Sequence, residues 1–289
     1  MELIRDPLEY QKRCERERLN GRSVALVPTM GALHEGHLAL VDEASRNAGF
    51  VTASVFVNPS QFGPGEDFEK YPRDLETDMR KLEKRGVDAV FSPEVKMIYK
   101  EGDQTAVHVK KITSGLCGKY RPSHFEGVTT IVSRLFNLAG PCTAVFGRKD
   151  YQQLKVIQRM VRDLFFPVKV IGVHTVREPD GLAMSSRNRY LSEDERARAS
   201  MIPAALKALR KEWNCGVRNI AGLNRKFSEM IAGAADSVDY AALFHAEQLY
   251  PLDHEQTVPG KTLAAAALRV GNARLIDNTV LGEPDPGLD

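Results

Sequence analysis

Two histidines that flank a glycine, His34 and His37 in the segment PTMGALHEGH (28–37), are the residues most suited to chemistry. They are three residues apart, so on a helix they share one face of the first turn. Gly36 between them leaves room for a flat ring or a backbone to approach closely. Two imidazoles beside a helix N-terminus could donate hydrogen bonds to a phosphate whose charge grows in a transition state. The segment therefore predicts a phosphate-binding site.

Three other interpretations of HEGH can be compared with this one. A zinc hydrolase of the HExxH kind needs histidines four residues apart, so zinc chemistry is not favoured. A nicotinamide enzyme would carry GxGxxG at this turn, and the turn lacks it. The third alternative is that both histidines only cap a helix, and the sequence alone leaves it open.

Three further segments carry polar side chains at predicted turns. In GLAMSSRN (181–188) the hydroxyls of Ser185 and Ser186 and the fork of Arg187 could hold phosphate oxygens. Taken alone this loop is more simply a solvated turn, but it gains weight beside HEGH. In FGRKDYQQ (146–153) Lys149 could neutralise phosphate, while Asp150 could hold ribose hydroxyls or magnesium, or cap a helix.

The third of these segments is VNPSQFGP (57–64), which contains Gln61. A glutamine amide both donates and accepts hydrogen bonds, so it suits a hydroxylated or carboxylate substrate. As a lone glutamine it would be uninformative.

Alternating strands and helices position these segments. SVALVPTM (23–30), a helical pattern from Leu38 to Ala44 and VTASVFV (51–57) predict a βαβ unit with a right-handed crossover. The alternation continues with helices over 74–85, 125–138 and 151–165, and strands over 87–91, 143–146 and 167–176. This pattern predicts an α/β fold, a Rossmann-like doubly wound parallel sheet whose strand ends bind ligands.

The pattern changes near residue 177. Ser192 and Glu195 fit a capping box that opens a long helix to about Asn214. A second helix over 219–234 and strands over 238–249, 262–270 and 274–281 predict a smaller α+β domain with antiparallel pairing. We therefore expect domains at 1–176 and 177–289, with a frayed tail, EPDPGLD, at the C-terminus.

Composition excludes several classes of protein. The 289 residues include 40 Lys+Arg and 38 Asp+Glu, a net charge of +2, so we expect no nucleic-acid partner. No apolar run approaches the roughly 20 residues of a membrane span, and the charged N-terminus lacks a signal core. The four cysteines stand singly and are expected to carry no chemistry. We expect a soluble, cytoplasmic protein.

The motifs as a set resemble a known family. HEGH is similar to the HIGH motif, and MSSRN to the KMSKS loop, of the nucleotidyltransferase superfamily that includes class I aminoacyl-tRNA synthetases. More narrowly, PTMGALHEGH, VFVNPSQFGPGEDFEKYPRD, RPSHFEGV, FGRKDYQQ, DGLAMSSRN and RLIDN occur in the order typical of the pantoate–β-alanine ligase family. The resemblance runs from about residue 1 to 281.

The resemblance implies a two-step reaction of pantothenate and coenzyme A biosynthesis. ATP adenylates the carboxylate of (R)-pantoate with loss of pyrophosphate, and β-alanine then displaces AMP to give pantothenate. It further implies Mg²⁺ as a cofactor and a homodimer. The domain at 1–176 would bind ATP and pantoate, and the smaller one would carry MSSRN at its start.

The resemblance also implies roles for single residues. His34 and His37 would bind ATP phosphates, with His37 as proton donor, and the catalytic set would also include Lys149, Ser185, Ser186 and Arg187. The whole implied ATP site comprises Met30, Gly31, Ala32, Leu33, His34, Glu35, Gly36, His37, Gly147, Arg148, Lys149, Asp150, Val176, Met184, Ser185, Ser186 and Arg187.

Fewer residues are implied for the other ligands. Gln61 and Gln153 would hold pantoate, with Gln61 also near β-alanine. Weaker candidates for the pocket wall are Tyr71, Arg121 and His124. The metal ligands are undetermined, with Asp78 and Asp150 as candidates.

The chain departs from the family pattern at three positions outside the main set. Arg148 stands where Glu or Gln is usual, Ser123 where RPGHF has glycine, and Cys142 where a Pro-Asp pair is common. Two alternatives remain: an adenylyltransferase that keeps AMP on its product, or a non-catalytic nucleotide- or RNA-binding module. The first would lack NPSQF and YQQ, and the second would have lost HEGH or gained a basic domain.

Overall fold

The computed structural model describes residues 1–253 and 260–289, and the chain divides into two compact units. The first unit comprises Met1–Thr113, Arg121–Gly147 and Gln153–Val173, and the second comprises Ser114–Tyr120, Arg148–Gln152 and His174–Asp289. The domain boundary expected at residue 176 stays a prediction.

The helices of the described residues have these bounds: α1 Pro7–Leu19, α2 Glu35–Asn47, α3 Leu75–Lys84, α4 Val95–Ile98, α5 Cys117–Tyr120, α6 His124–Ala139, α7 Tyr151–Asp163, α8 Glu193–Ala199, α9 Met201–Asn214 and α10 Ile220–Ala232. Short 3-10 turns cover Pro59–Gln61, Arg148–Asp150 and Ser186–Tyr190. No helix among the described residues is long and apolar enough to span a bilayer.

One parallel sheet organises the first unit. Its strands are β1 Glu2–Ile4, β2 Val24–Thr29, β3 Phe50–Val55, β4 Ala89–Phe91, β5 Cys142–Gly147 and β6 Val168–Val173. They lie in the order β1-β4-β3-β2-β5-β6, and every pair is parallel. The strand order reverses between β2 and β5, which is the place where open α/β sheets bind ligands.

Both faces of this sheet are covered. Along β2, Val24 and Leu26 belong to one hydrophobic cluster, with residues of α1, α6 and α7, while Ala25 and Val27 belong to another, with residues of α2 and α3. Successive strand residues point to opposite faces, so an uninterrupted apolar run on β2 requires helices on both sides. The predicted doubly wound, Rossmann-like sheet is confirmed.

A three-stranded antiparallel sheet organises the second unit. Its strands are β7 Ser237–His245, β8 Thr262–Val270 and β9 Ala273–Leu281, in the order β7-β8-β9. Leu243 and Leu268 of the sheet share a buried cluster with Leu206, Trp213 and Phe227 of α9 and α10. The predicted α+β character and antiparallel pairing are confirmed.

The prediction of a single long helix from Ser192 to about Asn214 is wrong. The capping box of Ser192 and Glu195 forms, but α8 ends at Ala199 and α9 begins at Met201. Pro203 explains the break, because it has no N–H for the carbonyl of Ala199 and its ring would clash with that carbonyl.

The prediction of a frayed C-terminal tail is also wrong. Asp285 and Leu288 are buried, and the Thr279 hydroxyl donates to Asp285 Oδ2 over 2.8 Å. The guanidinium of Arg210, itself only 7% exposed, donates to the Asp289 carboxylate and to the carbonyl of Glu283. A buried cation must find acceptors, and the tail supplies them.

Replacing Arg210 tests this anchoring. Arg210→Met leaves the tail acceptors without their donor, and we expect the free energy of unfolding in urea to fall by about 3 kcal/mol. Lys211→Met, at the exposed neighbouring position, is the control and should change it by less than about 0.5 kcal/mol. Equal stability of the two variants would mean that the tail is not held by Arg210.

Candidate active site

HEGH begins helix α2 after the short turn that follows strand β2. His34 is the N-cap residue, and its amide donates to His37 Nδ1 over 3.4 Å. The two rings lie 4.1 Å apart between centroids. His37 therefore takes part in a capping box at the start of the helix. Because Nδ1 of His37 accepts, the neutral ring carries its proton on Nε2, where it is a hydrogen-bond donor.

A buried carboxylate from α3 holds the turn before HEGH. Asp78, only 2% exposed, accepts hydrogen bonds from the amides of Ala32 and Leu33, each over 2.8 Å. Lys81 donates to the carbonyl of Leu33 over 2.6 Å. Gly31 has φ +82°, and a Cβ there would lie 2.8 Å from Asp78 Oδ2. Glycine is thus required by both conformation and space.

The same contacts decide whether Asp78 fits a magnesium ion. Both of its oxygens face backbone amides, and burial raises its pKa in spite of those hydrogen bonds. Asp150 is exposed, and its Oδ2 lies 3.8 Å from Lys149 Nζ. Among the described residues no group of three His, Cys, Asp or Glu side chains could hold a metal. Asp78 thus offers its oxygens to backbone amides rather than to an ion, whereas the Asp150 carboxylate is exposed beside Lys149.

Gln61 lies beside Met30, in the turn between β2 and α2. Its Nε2 is 2.6 Å from the sulfur of Met30, and its Oε1 accepts from Asn58 Nδ2 over 3.2 Å. Its backbone carbonyl accepts from His124 Nδ1 over 2.9 Å and from Arg121 Nη2 over 3.3 Å. Contacts at both ends fix the residue, with the amide N–H side toward Met30.

Arg121 also forms a forked ion pair. Its Nε and Nη2 each lie 2.6 Å from a carboxylate oxygen of Glu66. Burial raises the pKa of Glu66, but the hydrogen bond and charge of Arg121 outweigh it, so that pKa lies below its usual value. Nearby, Ser123 has φ −89°, a conformation open to any residue, so its departure from the family's glycine causes no backbone strain.

Helix α6 approaches the Gln61 turn through a glycine. A Cβ on Gly127 would lie 2.2 Å from the carbonyl oxygen of Ser60 and 2.6 Å from the amide nitrogen of Gln61. The Gly127 carbonyl also accepts from Asn58 Nδ2 over 3.1 Å. The turn therefore rests directly on the helix backbone.

Gly127→Ala should move that turn. Alanine favours a helix over glycine by about 1 kcal/mol, so any loss of stability reports the overlap. We expect the unfolding free energy to fall by about 2 kcal/mol in chemical denaturation. In the control, Gly63→Ala, the nearest atom to the new Cβ would be 3.8 Å away, and stability should hardly change. A stabilised Gly127→Ala would contradict the close approach.

In the second unit, the turn after β5 carries Lys149. Arg148 pairs with Glu283 over 2.9 Å. Asn278 of β9, which is buried, donates through Nδ2 to the carbonyls of Arg148 and Lys149 over 3.1 and 2.8 Å. The backbone of the RKD segment is thus held from the β9 strand.

GLAMSSRN forms the second arm of a tight hairpin and the start of the 3-10 turn that follows it. The Met184 amide donates to the Val176 carbonyl over 2.9 Å, and Ser185 Oγ accepts from the Arg187 amide over 3.3 Å. The Ser185 hydroxyl therefore caps the 3-10 turn that begins at Ser186. Asn188, which is buried, donates to the Ala183 carbonyl over 3.1 Å and closes the loop. This is an ordered loop rather than a merely solvated one.

The two glutamines of YQQ differ in their contacts. Gln152 is buried, donates to the Gly115 carbonyl and accepts from the Cys117 amide, each over 2.9 Å. Gln153 is half-buried, and its side-chain amide bonds to none of the described residues. Gln152 is thus occupied structurally, whereas the implied pantoate role of Gln153 stays a prediction.

The structure brings some of the predicted residues together. Others are held in place by residues for which the sequence predicted no role. Gln61 contacts the segment from Met30 to His37, as the strand ends predicted. The supporting residues Asn58, Gly127 and Asn278 were missed. The only signal for them was their position inside the motifs NPSQF, HFEGV and RLIDN.

Comparison with known proteins extends over nearly the whole chain. The family model described as pantoate-beta-alanine ligase matches residues 2–280. The pantothenate synthetase of Syntrophomonas wolfei is 50% identical over 283 residues, which are 97% of this chain and 99% of that protein. That of Geotalea daltonii is 48% identical, covering 98% and 100%.

Solved structures agree. The crystal structure of pantothenate synthetase from Thermus thermophilus has a TM-score of 0.90 and 48% identity, covering 97% of this chain and 99% of that chain. A pantoate-beta-alanine ligase from Francisella tularensis, complexed with beta-gamma ATP and beta-alanine, has a TM-score of 0.79 and 29% identity, covering 99% of each chain. The fold, the ordered motifs and these relatives lead to one conclusion: the chain belongs to the pantoate–β-alanine ligase family.

Proposed function

We propose that this chain condenses (R)-pantoate with β-alanine at the expense of ATP, giving pantothenate, AMP and pyrophosphate. The observation that carries the proposal is that Gln61, which follows β3, contacts Met30, which follows β2 where the strand order reverses. It puts an amide suited to a hydroxy acid against the turn suited to a nucleotide. Family membership over nearly the whole chain supports the choice of substrates.

In the first step the pantoate carboxylate attacks the α-phosphorus of ATP. A P–O bond forms to the carboxylate oxygen, and the bond from that phosphorus to the pyrophosphate oxygen breaks. Charge grows on the phosphoryl oxygens, so catalysis depends on positioned donors. We assign this role to His34 and His37, with Nε2 of His37 as the donor that its Nδ1 hydrogen bond selects.

The rest of the implied ATP site supplies further donors. Lys149, Ser185, Ser186 and Arg187 are proposed to bind phosphate oxygens, since ammonium, hydroxyl and guanidinium groups are suited to them. The remaining residues of Met30–His37, together with Gly147, Arg148, Asp150, Val176 and Met184, are proposed to line the nucleotide. A magnesium ion bound to the ATP phosphates would neutralise part of their charge.

In the second step the neutral amine of β-alanine attacks the acyl carbon of the adenylate. A C–N bond forms, the C–O bond to AMP breaks, and the nitrogen loses a proton. An amine cannot displace oxide from a carboxylate. Adenylation replaces oxide with AMP, which is a good leaving group. Gln61 and Gln153 are proposed to hold pantoate through both steps. By the family resemblance we also propose a homodimer and a cytoplasmic location.

Product analysis tests the proposed function. Purified protein is mixed with ATP, Mg²⁺ and (R)-pantoate, first without and then with β-alanine. We expect pyrophosphate that depends on pantoate, followed by AMP and pantothenate once β-alanine is added. AMP retained on the product would indicate an adenylyltransferase instead, and no pantoate-dependent ATP cleavage would indicate a non-catalytic binding module.

His37→Ala tests the assigned donor. Loss of one positioned donor to a developing charge costs about 100-fold in rate or more, so we expect pantoate-dependent pyrophosphate release to slow by that factor. His108→Ala is the control, because that imidazole is half-exposed beside Glu126, outside the HEGH turn. Circular dichroism should show both variants folded. Near-normal turnover by folded His37→Ala would remove this residue from the mechanism.

A further inference from the structure

The RLIDN motif on β9 has no role in the reaction as described so far. We propose that Asp277 and Asn278 of this motif are positioning residues that hold the Lys149 turn and the GLAMSSRN hairpin in place for ATP. The inference rests on the proposed function, because it concerns the ATP-dependent step. It adds two residues that act through others and do not touch substrate.

Asn278 controls the backbone that carries Lys149. Its Nδ2 donates to two successive carbonyls, those of Arg148 and Lys149, over 3.1 and 2.8 Å. The side chain is 8% exposed, so water does not readily replace these bonds. One side-chain amide that bridges consecutive carbonyls fixes the direction of the main chain at Lys149. It thereby fixes the backbone position from which the Lys149 side chain extends.

Asp277 controls the hairpin that carries Ser185 and Arg187. Its carboxylate forms a forked ion pair with Arg177, with contacts of 2.6 and 3.1 Å, and both side chains are at most 4% exposed. Arg177 also donates to the Gly181 carbonyl over 3.1 Å and pairs across a bridge with Ala183. The ion pair therefore ties the base of the hairpin to β9.

The two residues reach different segments because they are adjacent on a strand. Neighbouring side chains of a strand point to opposite faces, so Asp277 and Asn278 act in different directions from one anchored point. Their backbone is paired to Ala266 and Ala265 of β8 in an antiparallel ladder. The backbone amide of Asn278 also donates to Asp277 Oδ1 over 2.8 Å, which couples the two residues.

The consequence for catalysis is positional. A misplacement of about 1 Å in a binding group can cost about 100-fold in rate. Without Asn278 two carbonyls lose their shared donor, and the turn is free to relax toward other partners. We therefore expect kcat/KM for ATP to fall by about tenfold or more, while KM for β-alanine stays within about twofold of the wild type.

Two variants and one matched control test this. Asn278→Ala removes the side chain, and Asn278→Asp keeps its shape but puts an acceptor against two carbonyl acceptors. Thr279→Val is the control, because it is the next residue, is also buried, and loses hydrogen bonds to Asp285 and Arg210 that involve neither turn. Pantoate-dependent pyrophosphate release is measured against ATP, and β-alanine dependence and thermal unfolding are measured alongside.

The expected result is that both Asn278 variants lose kcat/KM for ATP while Thr279→Val, with a similar or larger loss of thermal stability, does not. If the Asn278 variants match Thr279→Val in kcat/KM for ATP, the positioning role is overturned while the proposed function stands. If Asn278→Asp retains wild-type values, shape rather than hydrogen bonding matters, and the inference is again overturned. If the wild type itself shows no pantoate-dependent pyrophosphate release, the proposed function fails first.

Discussion

Two backbone amides bound to one buried carboxylate set the shape of the predicted nucleotide turn. Gly31 and Ala32 both have positive φ, of 82° and 51°, and this conformation aims the amides of Ala32 and Leu33 at one point. The carboxylate of Asp78 occupies that point. An unpaired buried amide would cost about 1–3 kcal/mol, so the acceptor and the conformation stabilise each other. The entry angle of α2, and hence the place of His34 and His37, depends on this pair.

The same device recurs at the other turns. Each candidate functional segment is a short turn or loop. Each is held in place by a buried polar side chain or by a close backbone contact. Asn58 and Gly127 hold the turn of Gln61, and the ion pair and amide of RLIDN hold segments of the second unit. Phosphoryl transfer asks a protein mainly to position charge, so a rigid backbone is what this chemistry requires.

Local patterns predicted the parts of this molecule that local physics determines. The apolar run of β2 and the helical spacing of α2 indicated a doubly wound sheet, and HEGH lies at the strand end where the pattern put it. The first strand and helix were missed, although Asp6 accepts from the Glu9 amide and Pro7 starts α1. That combination is a readable helix start that the charged character of the segment concealed.

The contacts of Asp78 and Asn278 could not be predicted from local patterns. Asp78 was considered for a metal and instead accepts amides 45 and 46 residues away, and Asn278 contacts carbonyls 129 and 130 residues away. No periodicity or spacing encodes such contacts, because they exist only after the chain is folded. Pro203, by contrast, was visible in the sequence, and its missing N–H was sufficient to divide the long helix.

In the proposed reaction the pantoate carboxylate is activated by attack on the α-phosphorus of ATP. The most direct measurement labels both carboxylate oxygens of pantoate with ¹⁸O and follows the label by mass spectrometry after reaction with ATP and β-alanine. We expect one ¹⁸O in the phosphate of AMP and one in the amide of pantothenate. Label in inorganic phosphate with ADP as the nucleotide product, or AMP free of label, would contradict it.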